Sequence, residues 1–363
     1  MQTKVENLYK IIDLDIHNGT YNNFVILDKD SHCEFSFGGL LRLPRGLTSL
    51  CSGQPWLVYW NLNSLNIMKM PIPEEVSSQV IALLSECICP YTGAFCGGPS
   101  QDPHLAPTYA SVAALISLNS AKGYSIINRK GIHDFIVSMK HKTVPGAFTM
   151  HTDGESDMRS VYCAICVASV LNILDDAVTK DVSYHIANCQ NYDGGFSAEP
   201  NGESHGGYTF CAVASLIMLE KASLVDCERA LEWCLMRQMD IEGGFNGRPN
   251  KLVDSCYTFW IGAAIVMLKD VLNIPKEVQI CSSEALQAYV MVACQSPMGL
   301  FDKPGSSPDY YHTAYSLGGL SFFQEPKMFK ESILDLADID PLVNALKKNV
   351  EDARKYFIEL GPI

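Results

Sequence analysis

Long apolar runs are missing from this 363-residue chain: the most apolar stretch, residues 259–268 (FWIGAAIVML), is about half of the roughly 20 residues a membrane-crossing helix requires. Basic residues are scarce as well, 27 Lys and Arg against 40 Asp and Glu, for a formal net charge of −13. Such an acidic field repels phosphate backbones and argues against a nucleic-acid partner. The first twenty residues mix Lys, Glu and Asp and carry no apolar signal core, so the expected location is cytoplasmic, with no membrane-spanning part. No low-complexity tract occurs, and 47% hydrophobic with 18% charged residues is a globular composition. Cysteine, by contrast, is abundant, but the 14 are scattered and mostly embedded in apolar segments such as VYCAICVASVL. They read as reduced, buried thiols rather than a disulfide framework.

Length alone would suggest about two domains. An internal repeat replaces that expectation with one domain over residues 1–363. A Gly-Phe element recurs at Phe95, Phe148, Phe196, Phe245 and Phe301, with spacings of 53, 48, 49 and 56 residues. Three copies follow a Gln (Gln190, Gln238, Gln295), and each is followed by a Tyr that opens an apolar helical stretch: Tyr109, Tyr162, Tyr208, Tyr257, Tyr315. These stretches lack a wide polar face and read as buried inner helices. The segments between them, such as residues 223–237 and 283–294, are amphipathic and read as outer helices. One inner and one outer helix per repeat gives an all-α array. About six such hairpins would close into an α/α toroid around a central cavity, with the inner-helix N-termini at one mouth. Glycine at the turns is also what a closed array needs for conformation alone.

The chemistry repeats in register. Nine residues after each Phe stand His104, Asp157, His205, Asp254 and Tyr310, and eleven after stand Ala106, Arg159, Gly207, Cys256 and His312. Asp254, Cys256 and His312 form a three-ligand zinc set with an open fourth position, provided that Asp254 and Cys256 sit at a helix start. Taken singly, Cys256 is one more buried thiol and His312 a loop histidine; the shared register favours the set. His205, Arg248, Lys251, Tyr257 and Lys303 gather donors in an acidic protein and suggest a bound polyanion such as diphosphate. Asp302, beside Lys303, suits a Mg²⁺ bridging to phosphate oxygens. Trp56, Trp60, Tyr109, Tyr162, Tyr208, Trp260, Tyr311 and Tyr315 are consistent with an apolar tunnel, although core aromatics at helical spacing are common. Together these features imply alkyl transfer from an isoprenoid diphosphate to sulfur.

The runs GGPSQDPHLAPTYASVAAL, SHGGYTFCA, GGFNGRPNKLVDSCYTFW and DKPGSSPDYYHTAYSLGGL resemble the β subunits of the protein prenyltransferases, and among them the farnesyl-transferring branch, over about residues 45–325. The resemblance implies one Zn²⁺ per β subunit held by Asp254, Cys256 and His312, with the substrate thiolate on zinc. It implies diphosphate binding by His205, Arg248, Lys251, Tyr257 and Lys303, and a link between Asp302 and Mg²⁺ dependence. Arg159, Tyr162, Tyr208, Cys211, Trp260, Trp56 and Tyr315 would line the isoprenoid pocket, the Trp56 indole shortening it to a 15-carbon chain. Trp56, Trp60, His104, Ala106, Glu155, Asp309 and Tyr311 would lie near the bound CaaX peptide. Asp254, Cys256, His312, Tyr257, Lys251 and Asp302 would carry the catalysis. The implied partners are an α subunit in an obligate heterodimer, farnesyl diphosphate, and CaaX-bearing proteins such as small GTPases.

Three departures from the family pattern stand out: Ser255 for a Gly between the metal ligands, Pro249 for a Cys in the basic loop, and a first motif reading GAFCGG. The competing readings are a type I geranylgeranyltransferase β subunit, opposed by Trp56, Asp302 and Tyr315, and a non-catalytic helical-repeat scaffold. Terpene cyclisation on a similar toroid would need an Asp-rich motif, and the pair Asp175-Asp176 lacks the partner spacing.

Overall fold

Each Gly-Phe element is a tight hairpin joining the end of an outer helix to the start of an inner one. The glycine two residues before the Phe (Gly93, Gly146, Gly194, Gly243) has a positive φ. It also lies where a Cβ would enter the next outer helix, 2.2 Å from the Asp181 carbonyl oxygen at Gly146 and 2.2 Å from that of Arg229 at Gly194. Only glycine satisfies both demands. The Phe itself is fully buried at residues 95, 148, 196 and 245.

The structure is a computed structural model that describes residues 3, 5–10, 26–41, 49–325 and 334–363. Its inner helices are α2 (Gln54–Ile67), α4 (Leu105–Leu118), α6 (Met158–Val170), α8 (Gly206–Met218), α10 (Tyr257–Val271) and α12 (Tyr310–Phe322). The outer helices are α1 (Lys29–Leu41), α3 (Glu74–Glu86), α5 (Arg129–Ser138), α7 (Val182–Ala187), α9 (Cys227–Leu235) and α11 (Ser283–Ala288). Successive inner helices pack side by side, and α12 packs back onto α2, which closes the ring expected from the repeat. Outer helices bury a single stripe, as Val76, Val80, Ile81 and Leu84 do on α3. Inner helices are buried nearly all round, from Leu105 to Ser117 on α4. Two outer elements differ from the expected spans. Residues 223–237 resolve into a 3₁₀ turn and the shorter α9, which starts at its cap Asp226, and residues 283–294 leave α-helical geometry at Tyr289 for a π-helical turn.

The repeated glutamines have a structural task. Gln190 and Gln238 each donate to and accept from the backbone of the next outer helix's cap, Asp226 and Ser282. Gln295 does the same across the closure, accepting from the Asp28 N–H and donating to the Ile26 carbonyl ahead of α1.

After the ring, a two-residue antiparallel ladder, β3 (Ile339–Asp340) with β4 (Ala345–Leu346), leads into α13 (Lys347–Glu359), which lies against α4 and α6. The other ladder, β1 (Gln295–Ser296) with β2 (Gly299–Leu300), is the hairpin of the last repeat.

Candidate metal centre and active-site mouth

Five of the six inner helices, all but α2, which starts at Gly53 without a capping side chain, carry at one register position a side chain that accepts a backbone N–H of the helix start. His104, Asp157, His205, Asp254 and Asp309 each accept a backbone N–H two or three residues on. The next residue reaches across to the following hairpin: Leu105 N–H donates to Met150, Gly206 to Gly247 and Ser255 to Asp302.

The fifth repeat corrects the expected register. Asp309 N–H donates to the Leu300 carbonyl and Leu300 N–H to the Thr313 hydroxyl, as His104 does to Phe95 and Phe95 to Thr108. Leu300, fully buried, is therefore the equivalent of the earlier Phe residues, and Phe301 is not. The cap of α12 is Asp309 rather than Tyr310, and Tyr311, not His312, is the counterpart of Cys256. The metal-type set comes from two adjacent repeats but not from one repeated slot.

Asp254, Cys256 and His312 nevertheless converge, with one ligand atom from each all within 4.8 Å of one another. Asp254 precedes the first turn of α10, which lets its carboxylate and the Cys256 thiol face the same point. The Asp254 Oδ1 accepts the Cys256 N–H at 2.9 Å and lies 3.3 Å from His312 Nε2. On the far side of the ring His312 Nδ1 donates to Asp309 at 2.6 Å. Burial works against a charged imidazole, yet Asp254 and Asp309 outweigh it and lift His312 to about 9. Asp254 is held low by His312 and the Cys256 donors against the opposing effect of burial, while burial and Asp254 push the Cys256 thiol well up. A cation would invert the last of these. The residues fit zinc: a carboxylate, a thiol and an imidazole whose Nδ1 is already committed to an orienting carboxylate. The Asp309 carboxylate thus accepts from both the His312 ring and the His312 backbone N–H.

A second cluster, His104, His151 and Glu155, is equally compact. Its hydrogen bonds give it the opposite character. His104 Nδ1 accepts the Ala106 N–H at 3.1 Å, so the ring proton sits on Nε2, which is a donor. A cation there would have to strip the last ring proton. His205 is fixed in the same way: its Nδ1 accepts the Gly207 N–H, and Nε2 meets the Tyr257 hydroxyl oxygen at 3.0 Å.

That contact leaves the Tyr257 proton free to point onward. Burial, with Cys256 and Asp254, raises its pKa, so Tyr257 stays a neutral donor. The ring needs glycine behind it, since a Cβ on Gly247 would lie 2.0 Å from Tyr257 Cζ. Arg248 pairs with Glu203, and Lys303 with Asp302. Lys251 is exposed, its backbone turned on Arg248. Ser255, the departure between the metal ligands, is fully buried and donates to the Phe301 carbonyl at 2.8 Å, so the larger side chain is accommodated. Pro249 is exposed.

The inner wall carries a closed circuit of aromatic rings. It runs Trp56–Tyr109–Tyr162–Phe210–Trp260–Tyr315–Tyr311–Trp60 and back to Trp56, each step 4.3–5.7 Å between centroids. Every inner helix contributes. Phe210 was not anticipated, although it stands fourteen residues after Phe196, the register of Tyr109 and Tyr162. Tyr208 and Tyr257, grouped with those two by residue type, stand two residues earlier and sit at the mouth beside His205. Cys211 is buried on α8. Arg159 is exposed and paired with Asp157 through Nε and Nη2.

Below the circuit three hydroxyls are tied to one turn: Tyr59 donates to the Asn344 carbonyl at 2.7 Å, Tyr109 to Val343 at 3.0 Å and Tyr162 to Leu342 at 2.8 Å. The C-terminal turn therefore floors the ring, which the sequence reading did not foresee. Of the residues expected near a peptide, Trp56, His104 and Ala106 line a cavity of about 420 Å³ at the mouth, together with Ser52, Gly97 and His151. Trp60 and Tyr311 face each other edge-on across the α2–α12 seam, and Glu155 is exposed, 3.6 Å from His151 Nε2.

Residues 27–345 match the prenyltransferase alpha-alpha toroid domain. The chain is 35% identical to the protein farnesyltransferase subunit beta of Pisum sativum over 85% of its own length and 90% of the relative's. It is 40% identical to the subunit of that name from Saccharomyces cerevisiae, over 87% and 74%. Among solved structures, the Candida albicans protein geranylgeranyltransferase-I complexed with GGPP superposes with a TM-score of 0.77 at 25% identity, covering 92% of this chain and 99% of that one. Among the described residues no helix is long and apolar enough to cross a membrane.

Proposed function

Because the chain belongs to the protein farnesyltransferase β-subunit family, within the prenyltransferase alpha-alpha toroid fold, we propose that it works with an α subunit as a zinc-dependent enzyme that moves the farnesyl group of farnesyl diphosphate to the thiol of a CaaX cysteine. One observation carries the mechanism. The start of α10 holds Asp254 and Cys256 toward His312 and, in the next residue, Tyr257 toward His205. Thiol-binding and leaving-group chemistry thus meet at one helix N-terminus, whose partial positive charge itself favours anions.

Asp254, Cys256 and His312 would hold the zinc, which when bound supplies a Lewis acid that lowers the acceptor thiol's pKa from about 8.5. The diphosphate is gripped by Arg248, Lys251 and Lys303, and Tyr257 donates its hydroxyl proton, its oxygen steadied by the His205 Nε2–H. As sulfur bonds to C1 of the farnesyl chain and the C1–oxygen bond breaks, the electron pair moves onto the diphosphate, where these preorganised donors have their greatest effect. Arg248 and Lys303 pair with Glu203 and Asp302; on diphosphate binding they would exchange a carboxylate for a phosphate, and Asp302 would be the carboxylate available to hold a Mg²⁺, which would supply further charge neutralisation. The aromatic circuit receives the chain, with Trp56 and Tyr315 setting its length. His104 presents an Nε2–H donor to the acceptor peptide. The reaction takes place in the cytoplasm, in a single domain spanning residues 1–363.

The decisive experiment is single-turnover transfer to a CaaX peptide from farnesyl or geranylgeranyl diphosphate, by the chain with its α subunit, with bound zinc measured in wild type and Cys256→Ala. Farnesyl preference together with zinc loss in the variant supports the reading. Geranylgeranyl preference keeps the chemistry and overturns the length argument, and absence of transfer by an intact, zinc-loaded heterodimer favours the scaffold.

A further inference from the structure

The start of α10 is built differently from the starts of α4, α8 and α12. On those three the fourth residue after the cap is a threonine whose N–H bonds back to the cap carbonyl, Thr108 to His104, Thr209 to His205 and Thr313 to Asp309, at 2.8–3.1 Å. Each threonine hydroxyl also accepts the N–H of the buried hairpin residue, Phe95, Phe196 or Leu300. Thr258 holds the same position on α10. Its N–H bonds one residue short, to the Ser255 carbonyl at 3.1 Å, and the Tyr257 N–H bonds to the Asp254 carbonyl at 3.1 Å. Among the described residues its buried hydroxyl has no hydrogen-bond partner. These are the bonds of a 3₁₀ turn, which sets residues two apart about 120° apart around the axis instead of about 160°. The tightening turns Asp254 and Cys256 toward one point, but it forfeits the bond that anchors the other three helix starts.

Ser255 supplies a different anchor. It is fully buried, its hydroxyl donates to the Phe301 carbonyl at 2.8 Å and accepts from the Ser316 hydroxyl at 2.9 Å, and its N–H donates to the Asp302 carbonyl at 2.9 Å. Ser316, also fully buried, lies on α12 one turn after His312. The hydroxyl pair therefore ties the turn that carries two of the three metal-type residues to the helix that carries the third. A relay from Ser316 through Ser255 to a carbonyl in a buried site strengthens each of its bonds. After the other caps stand Leu105, Met158, Gly206 and Tyr310; only this repeat places a serine there.

We propose that Ser255 is a positioning residue of the metal centre: its hydroxyl holds the tightened turn of Asp254 and Cys256 against α12 and so sets the geometry at which they meet His312. This role rests on the zinc reading above, and it is exercised through the neighbouring residues rather than by contact with the ion.

The test uses the heterodimer with its α subunit, stripped of metal and reloaded with Zn²⁺ or Co²⁺. Zinc affinity is read by chelator competition and ligand geometry by the Co²⁺ d–d absorption bands. Ser255→Ala is expected to weaken zinc binding about 10-fold, the lower end for residues that orient ligands, and to shift the cobalt bands. Ser316→Ala keeps the bond to Phe301 and should shift the same bands by less. The double variant should bind zinc no more weakly than Ser255→Ala, because both changes remove one bridge. Ser111→Ala is the control: it deletes a buried hydroxyl that stands at the Ser316 position of the first repeat and has no partner among the described residues, and it should change neither readout. Wild-type zinc affinity and cobalt spectrum in Ser255→Ala would overturn the role, as would an equal shift from Ser111→Ala or strictly additive losses in the double variant. If Ser255→Ala does not assemble, an unshifted cobalt spectrum in Ser316→Ala overturns the role by itself. A wild-type heterodimer that binds neither metal defeats the zinc reading and this role with it, whereas bound metal indifferent to Ser255 defeats only this role.

Discussion

Two clusters of metal-type side chains stand at the same mouth, each with its ligand atoms within 4.8 Å, and their histidines are held in opposite ways. At Asp254, Cys256 and His312 the imidazole gives its Nδ1 proton to Asp309 and turns Nε2 inward. At His104, His151 and Glu155 the cap of α4 takes the His104 Nδ1 lone pair, so Nε2 keeps its proton. Both sets offer imidazole and carboxylate; the partner of one imidazole nitrogen, a side-chain carboxylate in one and a backbone N–H in the other, differs completely. A histidine that caps a helix by Nδ1 is fixed as a donor, whereas one that follows an aspartate cap is free to be a ligand and is oriented by that aspartate.

The contrast can be broken most severely at Cys256. Cys256→Ala is expected to take bound zinc from stoichiometric to background by elemental analysis and to abolish transfer, and retention of stoichiometric zinc would show that the cluster is not the metal centre. Asp309→Asn acts one step back. It leaves all three ligands in place but removes the charge that orients His312, and zinc affinity measured by chelator competition should fall about 10- to 100-fold. His104→Ala sharpens the comparison from the other side: zinc stoichiometry and affinity should not move, while loss of the cap lowers stability by about 1 kcal/mol in denaturant titration. Zinc lost from that variant would refute the tautomer argument.

The smallest effect concerns histidines held neutral. His32 is fully buried with Nδ1 unpartnered, and burial lowers its pKa below 6.5 despite Gln295 and Asp28. As pH falls below that value the unfolded chain binds the proton first, so stability declines. Thermal unfolding between about pH 7.5 and pH 5.5 should show a decline that His32→Asn makes shallower; an unchanged slope would place the acid sensitivity elsewhere.

Much of the architecture is written in periodicity. Glycine at fixed offsets, a buried Phe after it and an apolar stretch beyond are local requirements of one hairpin, so they survive in each copy and can be counted. Counting erred where a neighbouring side chain could stand in: Phe301 has the motif, but Leu300 makes the bonds. Grouping by residue type erred likewise, pairing Tyr208 and Tyr257 with Tyr109 when Phe210 and Phe259 hold that position. The floor was not legible at all, because the turn at Leu342, Val343 and Asn344 is recognised only by tyrosines 180 to 285 residues away.

By itself, the sequence determined that this protein is a ring of helix pairs with its polar caps on one mouth, since hydrophobic period and turn chemistry act over a few residues and repeat. It also singled out Asp254, Cys256 and His312, whose ligand atoms the fold brings within 4.8 Å of one another. The tertiary structure alone decided which nitrogen of each histidine faces the mouth, which aromatics join into a circuit and what closes the ring below. Those depend on a single hydrogen-bond partner or ring contact brought in from a distant segment, and no local pattern encodes the direction from which it arrives.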